Sequence, residues 1–185
     1  MLSISLNILN LGQNLAAGEI AVIPTDTIHG LVTSAFNQPA VEKIYQLKRR
    51  NPTKPYIILI SSLEDLALFK VQSTSSERQI LARFWPGPVS IILPCAAPEL
   101  AYLHRGGQTL AFRMPADEAL QKLLAISGPI VAPSANPEGQ PPAQSYTEAR
   151  AYFGDRVQTY ICGDVSGRPS KLIRISDGTI EVLRP

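Results

Sequence analysis

Positive charge is concentrated in LKRRNPTKP (residues 47–55), where Lys48, Arg49, Arg50 and Lys54 crowd a short stretch. Asn51-Pro52 turns the backbone out of helix. If the segment is extended there, Lys48 and Arg50 share one face while Arg49 points elsewhere. Two converging cations suit a phosphate or a carboxylate, because charge-assisted hydrogen bonds of about 1.5–3 kcal/mol each can outweigh the desolvation of a bound anion. Both side chains are then expected to face solvent until the anion arrives. A basic helix end that merely complements the macrodipole is the plainer alternative. In APSANPEGQPPA (132–143), small polar residues follow an apolar run and prolines stiffen the backbone. Ser134 and Asn136 can offer a hydroxyl, an amide and backbone N–H groups to phosphate oxygens, against the alternative of a plain proline turn. In IPTDTIHGL (23–31), Thr25, Asp26 and Thr27 alternate polar groups between two apolar runs. They suit a small zwitterion, with Asp26 accepting from an ammonium or orienting a neighbour; an Asx- or ST-turn is the ordinary alternative. His29, beside an apolar run, is expected to be packed rather than catalytic, and His104 has less context still. No GxxxxGK(S/T), GxGxxG, GxSxG or HExxH motif is present, so a nucleotide site here would be an unusual one.

Around these groups the chain divides into short helices and strands. A helix over 8–17 closes at Gly18, and apolar runs at 20–23 and 30–34 bracket the PTDT loop as strands. Pro39 opens a helix with Val41, Ile44, Tyr45 and Leu47 at helical spacing, which delivers Lys48, Arg49 and Arg50 at its C-terminal end. YIILI (56–60) is a strand, 63–69 and 75–84 are helices, the latter capped by Ser75 or Ser76, and 89–93 and 109–113 are strands. A helix over 116–126 stops at Gly128, and a strand at 130–132 runs into Pro133. Ser145 with Glu148 forms a capping box for a helix to Phe153, and Asp177-Gly178 marks a terminal hairpin. Strands and helices intermix without a strict βαβ period. This predicts an α/β (or α+β) fold with a twisted mixed parallel/antiparallel sheet flanked by helices, as a single domain over 1–185.

Of the 185 residues, 45% are hydrophobic and 17% charged, an ordinary globular balance, and the net charge of +2 is too small for a surface that grips polyanions throughout. Any anion site must be local. Cys95 and Cys162 lie in no CxxC pair and near no histidine at ligand spacing, so no protein metal site is expected and reduced thiols fit best. The N-terminal stretch lacks a basic n-region, and Asn7, Asn10, Gln13 and Asn14 interrupt its apolar residues, so a cytoplasmic protein without a membrane partner is expected.

In order along nearly the whole chain, PTDTIHGL, KRRNPTKP, FWPGPVSIIL, FRMP, PSANPEGQPPA, and SGRPSKLI with VLRP resemble the motifs of the threonylcarbamoyl-AMP synthase (YrdC-like) family. The resemblance implies a central basic groove and condensation of L-threonine, bicarbonate or CO2, and ATP to threonylcarbamoyl-AMP and pyrophosphate. That is the first step of tRNA t6A modification. ATP is then the substrate and carries Mg²⁺ with it. By motif position, Lys48 and Arg50 would hold the phosphates or the carboxylated amine, and Thr25 and Thr27 would lie near threonine. Arg113, Ser134, Asn136, Ser170 and Arg184 would surround the nucleotide. The chain departs from the family pattern at His29, where an aromatic residue is usual, at Pro137 and Glu138 after S-x-N, and at Lys171 and Arg174 in the closing segment. Its stop at Pro185 resembles the short bacterial TsaC form, which passes its product to separate transfer proteins. The reading from another class is a double-stranded RNA-binding or ribosome-maturation protein using the same groove, with RNA binding weak at most at this net charge.

Overall fold

A computed structural model describes residues 2–176 and 179–185 of the chain. Nine strands form one sheet in the order β7-β1-β2-β6-β3-β5-β4-β8-β9. The strands are β1 (Ala21–Ile23), β2 (Gly30–Ser34), β3 (Ile57–Leu59), β4 (Val89–Pro94), β5 (Thr109–Arg113), β6 (Ile130–Val131), β7 (Thr159–Tyr160), β8 (Lys171–Ser176) and β9 (Thr179–Arg184). The pairs β1/β7, β3/β5 and β4/β8 are parallel and the others antiparallel, which is the mixed sheet expected from the irregular alternation of elements. The helices are α1 (Leu2–Ala16), α2 (Gln38–Lys48), α3 (Ser75–Leu81), α4 (Ala101–His104), α5 (Glu118–Ser127) and α6 (Tyr146–Phe153).

Successive strand residues point to opposite sheet faces, and that alternation divides the core in two. Ala21, Ile23, Val32, Leu59 and Ile130 pack with Leu15 of α1 and Leu120, Leu123 and Leu124 of α5. Val22, Leu31, Ile58, Phe112 and Val131 face the other way, into a larger core with Val41, Ile44 and Tyr45 of α2 and Ala149 and Phe153 of α6. Helices α1 and α5 meet at Gly12, where a Cβ would stand 2.6 Å from Ile126 Cγ2. Gly18 follows α1 at φ 95°, the left-handed end that its position after the helix predicts.

Local chemistry adjusts several boundaries. Thr74, not Ser75 or Ser76, caps α3: its Oγ1 accepts from Glu77 N at 3.2 Å while Glu77 Oε2 accepts from Thr74 N at 2.7 Å. The 63–69 segment winds as a 3-10 helix, and Asp65 Oδ2 accepts from Ser61 N and Ser62 N at its first turn. The four-residue α4 and the two-residue β7 escape a periodicity reading altogether. Strands β8 and β9 pair as the terminal hairpin, with Asp177-Gly178 outside the described residues. Among those residues no helix is long and apolar enough to cross a membrane, and Cys95 and Cys162 are free thiols.

Candidate active site

Main-chain hydrogen bonds lace two of the loops singled out above. Leu31 N donates to Pro133 O at 2.9 Å and Ala135 N to His29 O at 2.8 Å, so the PTDT and SAN segments lie side by side where β2 and β6 meet. With the ends of β5 and β9 they enclose a cleft of about 470 Å³. Thr25, Thr27, Arg50, Arg113, Ser134, Ser170 and Arg184 all line it. Among the described residues its lining holds three arginines and no carboxylate, over an apolar floor that includes Ile28, Ile57, Ile92 and Leu172. Such a cleft can take a flat apolar ring on the floor and an anion on the arginines.

Each arginine is aimed differently. Arg113 forms an ion pair from Nη1 to Asp26 Oδ1, with the two side chains 4% and 16% exposed, so Asp26 orients a neighbour. Arg184 Nε and Nη2 both donate to Ser170 O, at 2.9 and 2.7 Å, and burial lowers its pKa from the ordinary arginine value. Ser170 Oγ in turn pairs with Ser90 Oγ at 2.8 Å. Arg50 makes only long bonds, Nε to Lys54 O at 3.3 Å and Nη2 to Pro55 O at 3.4 Å. Thr25 Oγ1 accepts from Thr27 N and Ile28 N, both at 3.2 Å, and lies 2.9 Å from Thr27 Oγ1. The threonines therefore build an ST-turn and line the cleft at once, and the two readings of that loop are compatible.

Lys48 requires a correction. It does not share a face with Arg50 and does not point to solvent: it is 1% exposed, the largest fully buried side chain described. Helix α2 continues through Lys48, and Arg49 ends it in the left-handed conformation at φ 50°, so the segment is not extended there. Nζ passes behind the SAN loop and donates to Ser134 O and Asn136 O, with Asn136 Oδ1 at 3.4 Å. Burial first, and Arg50 second, lower its pKa to about 7, with Glu138 pulling the other way. The surrounding oxygens also favour the ammonium. Asn136 is likewise absent from the cleft lining; its Nδ2 donates to Gln140 O at 2.6 Å and holds the loop's shape.

Two contributions were not legible from residue type. Glu138 clasps the SAN loop to the basic loop after α2: it accepts from Lys54 Nζ at 2.8 Å and Asn51 N at 2.7 Å, and these partners hold its carboxyl below the usual carboxylate range. Tyr56 lines the cleft with its ring against Arg50; its only sequence signal was an aromatic opening an apolar run. His29 is packed as expected, fully buried with neither ring nitrogen bonded.

The family model for Sua5, YciO and YrdC proteins, described as telomere recombination, matches residues 13–185. The chain belongs to the Sua5/YciO/YrdC family. Within the family, the chain is 32% identical over 170 residues to threonylcarbamoyl-AMP synthase of Marinobacter nauticus, covering 90% of each chain. It is 34% identical over 172 residues to the Pyrococcus abyssi synthase, covering 91% of this chain but spanning only 50% of that protein. Among solved structures, P. abyssi Sua5 complexed with L-threonine superposes with a TM-score of 0.88 at 32% identity, over 98% of this chain and 54% of that one. Escherichia coli YciO, with a TM-score of 0.84 at 20% identity over 97% and 89% of the two chains, shares the fold.

Proposed function

We propose that this protein is a threonylcarbamoyl-AMP synthase that acts as one unit over its whole length in the cytoplasm. The observation that carries the reading is the cleft: three arginines and a wall of hydroxyls meet above an apolar floor, in a chain whose relatives of matching length are named for that activity. ATP lies with its base on the floor and its phosphates toward Arg50, Arg113 and Arg184, while threonine lies against Thr25 and Thr27. Ser134 and Ser170 line the nucleotide, and Lys48 and Asn136 support that wall from behind.

The threonine ammonium loses a proton to solvent, and the free amine takes up bicarbonate, releasing water, and becomes a carbamate. A carbamate oxygen then attacks the α-phosphorus of ATP, the bond from Pα to the bridging oxygen breaks, and pyrophosphate leaves. The arginines neutralise charge that grows on the phosphates, so catalysis is chiefly positioning and electrostatic. No His, Asp or Glu is among the described residues lining the cleft, in keeping with a reaction that needs no strong protein base. Mg²⁺ suits this donor set only as a companion of the ATP phosphates, since no acidic or histidine cluster able to hold it occurs among the described residues. The product passes to separate transfer proteins.

Purified protein is expected to release pyrophosphate from ATP only when threonine and bicarbonate are both supplied. Release at the same rate without threonine would overturn the assignment.

A further inference from the structure

Arg50 is the cleft arginine with the weakest direct restraint. It makes no ion pair among the described residues, and its two carbonyl contacts are long. Behind it stands a stack of aromatic rings. The Arg50 guanidinium lies 5.1 Å from the centroid of Tyr56, and Tyr56 stacks on Tyr45 with centroids 4.2 Å apart and planes at 26°. The far side of Tyr45 is covered by Arg105, whose guanidinium sits 3.9 Å from the ring centroid and pairs with Glu42 at 2.8 Å. Both tyrosines are at least nine-tenths buried, at 6% and 4% exposure. Arg105 lies outside the cleft lining.

We propose that Arg105, Tyr45 and Tyr56 are positioning residues: a stacked column that fixes the Arg50 guanidinium at the cleft wall, so that anion affinity depends on an arginine that never reaches the anion. The parts suit that task. Tyr45 Oη donates to Lys54 O at 2.8 Å, the same carbonyl that Arg50 Nε reaches, so the column and the arginine share an anchor. The Tyr56 hydroxyl is buried without a partner, so this residue contributes its ring face rather than a hydrogen bond. A guanidinium is attracted to the negative face of such a ring, more strongly when water is excluded. Planar stacking also suits arginine in a way lysine cannot match.

The inference that the held anion is a phosphate chain rests on the proposed function, but the column is tested without it. Inorganic pyrophosphate is titrated calorimetrically into wild type, Arg105→Met, Tyr56→Leu and Tyr56→Phe, with a melting curve for each. Wild type binds; Arg105→Met and Tyr56→Leu each bind roughly tenfold more weakly, the size of one desolvated cation–π contact. Tyr56→Phe recovers affinity to within about twofold, since only an unpaired hydroxyl is gone. In turnover assays the same loss falls on KM for ATP and spares KM for threonine. The Arg105 side chain is 13% exposed, but its partner Glu42 is 39% exposed and rehydrates when the guanidinium goes, so Arg105→Met keeps the test open should Tyr56→Leu fail to fold. Wild-type affinity in Arg105→Met, Tyr56→Phe as weak as Tyr56→Leu, or no pyrophosphate binding by wild type each overturns the column. Pyrophosphate affinity alone judges it, whichever way adenylate synthesis by the wild type falls.

Discussion

Lys48→Met is expected to melt roughly 6–12 °C below wild type and to lose on the order of 10² in kcat/KM. Methionine keeps most of the stem's volume, so the change isolates the ammonium. Its removal leaves the Asn136 carbonyl without a donor, while Ser134 O loses its charged donor and keeps only the Asn136 N–H at 2.9 Å. One buried orphan acceptor and one lost charge-assisted hydrogen bond cost about 3 kcal/mol together, and each kcal/mol moves the melting point about 2–4 °C in a chain of this size. The rate falls because the SAN loop forms one wall of the cleft, and a displacement of about 1 Å at a positioning group costs on the order of 10². Calorimetric melting and steady-state rates check both parts. An unchanged melting temperature would mean that Lys48 is not the internal strut described above.

Arg113→Met is expected to show the opposite balance, with a rate loss on the order of 10²–10³, the range for removing one preorganised donor, and a smaller change in melting temperature. Its partner Asp26 is 16% exposed and can rehydrate when the guanidinium is gone. Arg113→Lys should rescue little, because an ammonium lacks the planar fork that holds the Asp26 pair on one edge while aiming another donor at a ligand. Activity within tenfold of wild type in Arg113→Met would remove this residue from the chemistry.

The contrast between Lys48 and Arg113 marks where the sequence stops being informative. Strands β2 and β5 begin and end where their apolar runs do, and α5 and α6 stop at the glycines that cap them, because these signals are local. Seven of the nine residues singled out for the site converge on one cleft, since each lies at the end of a strand or in a loop whose place the sheet fixes. The direction of Lys48 follows once the helix is carried through it, because Val41, Ile44, Tyr45 and Lys48 then fall at i, i+3, i+4 and i+7 on the buried face. What residue type does not reveal is the left-handed Arg49, which ends the helix there and turns Arg50 away from Lys48. The column under Arg50 was equally out of reach, as it joins α2, the residue before β3 and the residue after α4 through contacts that no periodicity encodes. Nor could the Glu138 clasp be read from sequence: the residue stood out only as a departure, and its partners lie 84 and 87 positions away.

The central claim is that ATP and threonine meet in this one cleft. A crystal of the protein soaked with a non-hydrolysable ATP analogue and L-threonine tests it most directly. The expected density has the triphosphate against Arg50, Arg113 and Arg184, the base over Ile57 and Leu172, and threonine beside Thr25 and Thr27. Nucleotide density on another face of the sheet, with the cleft holding only solvent, would contradict it.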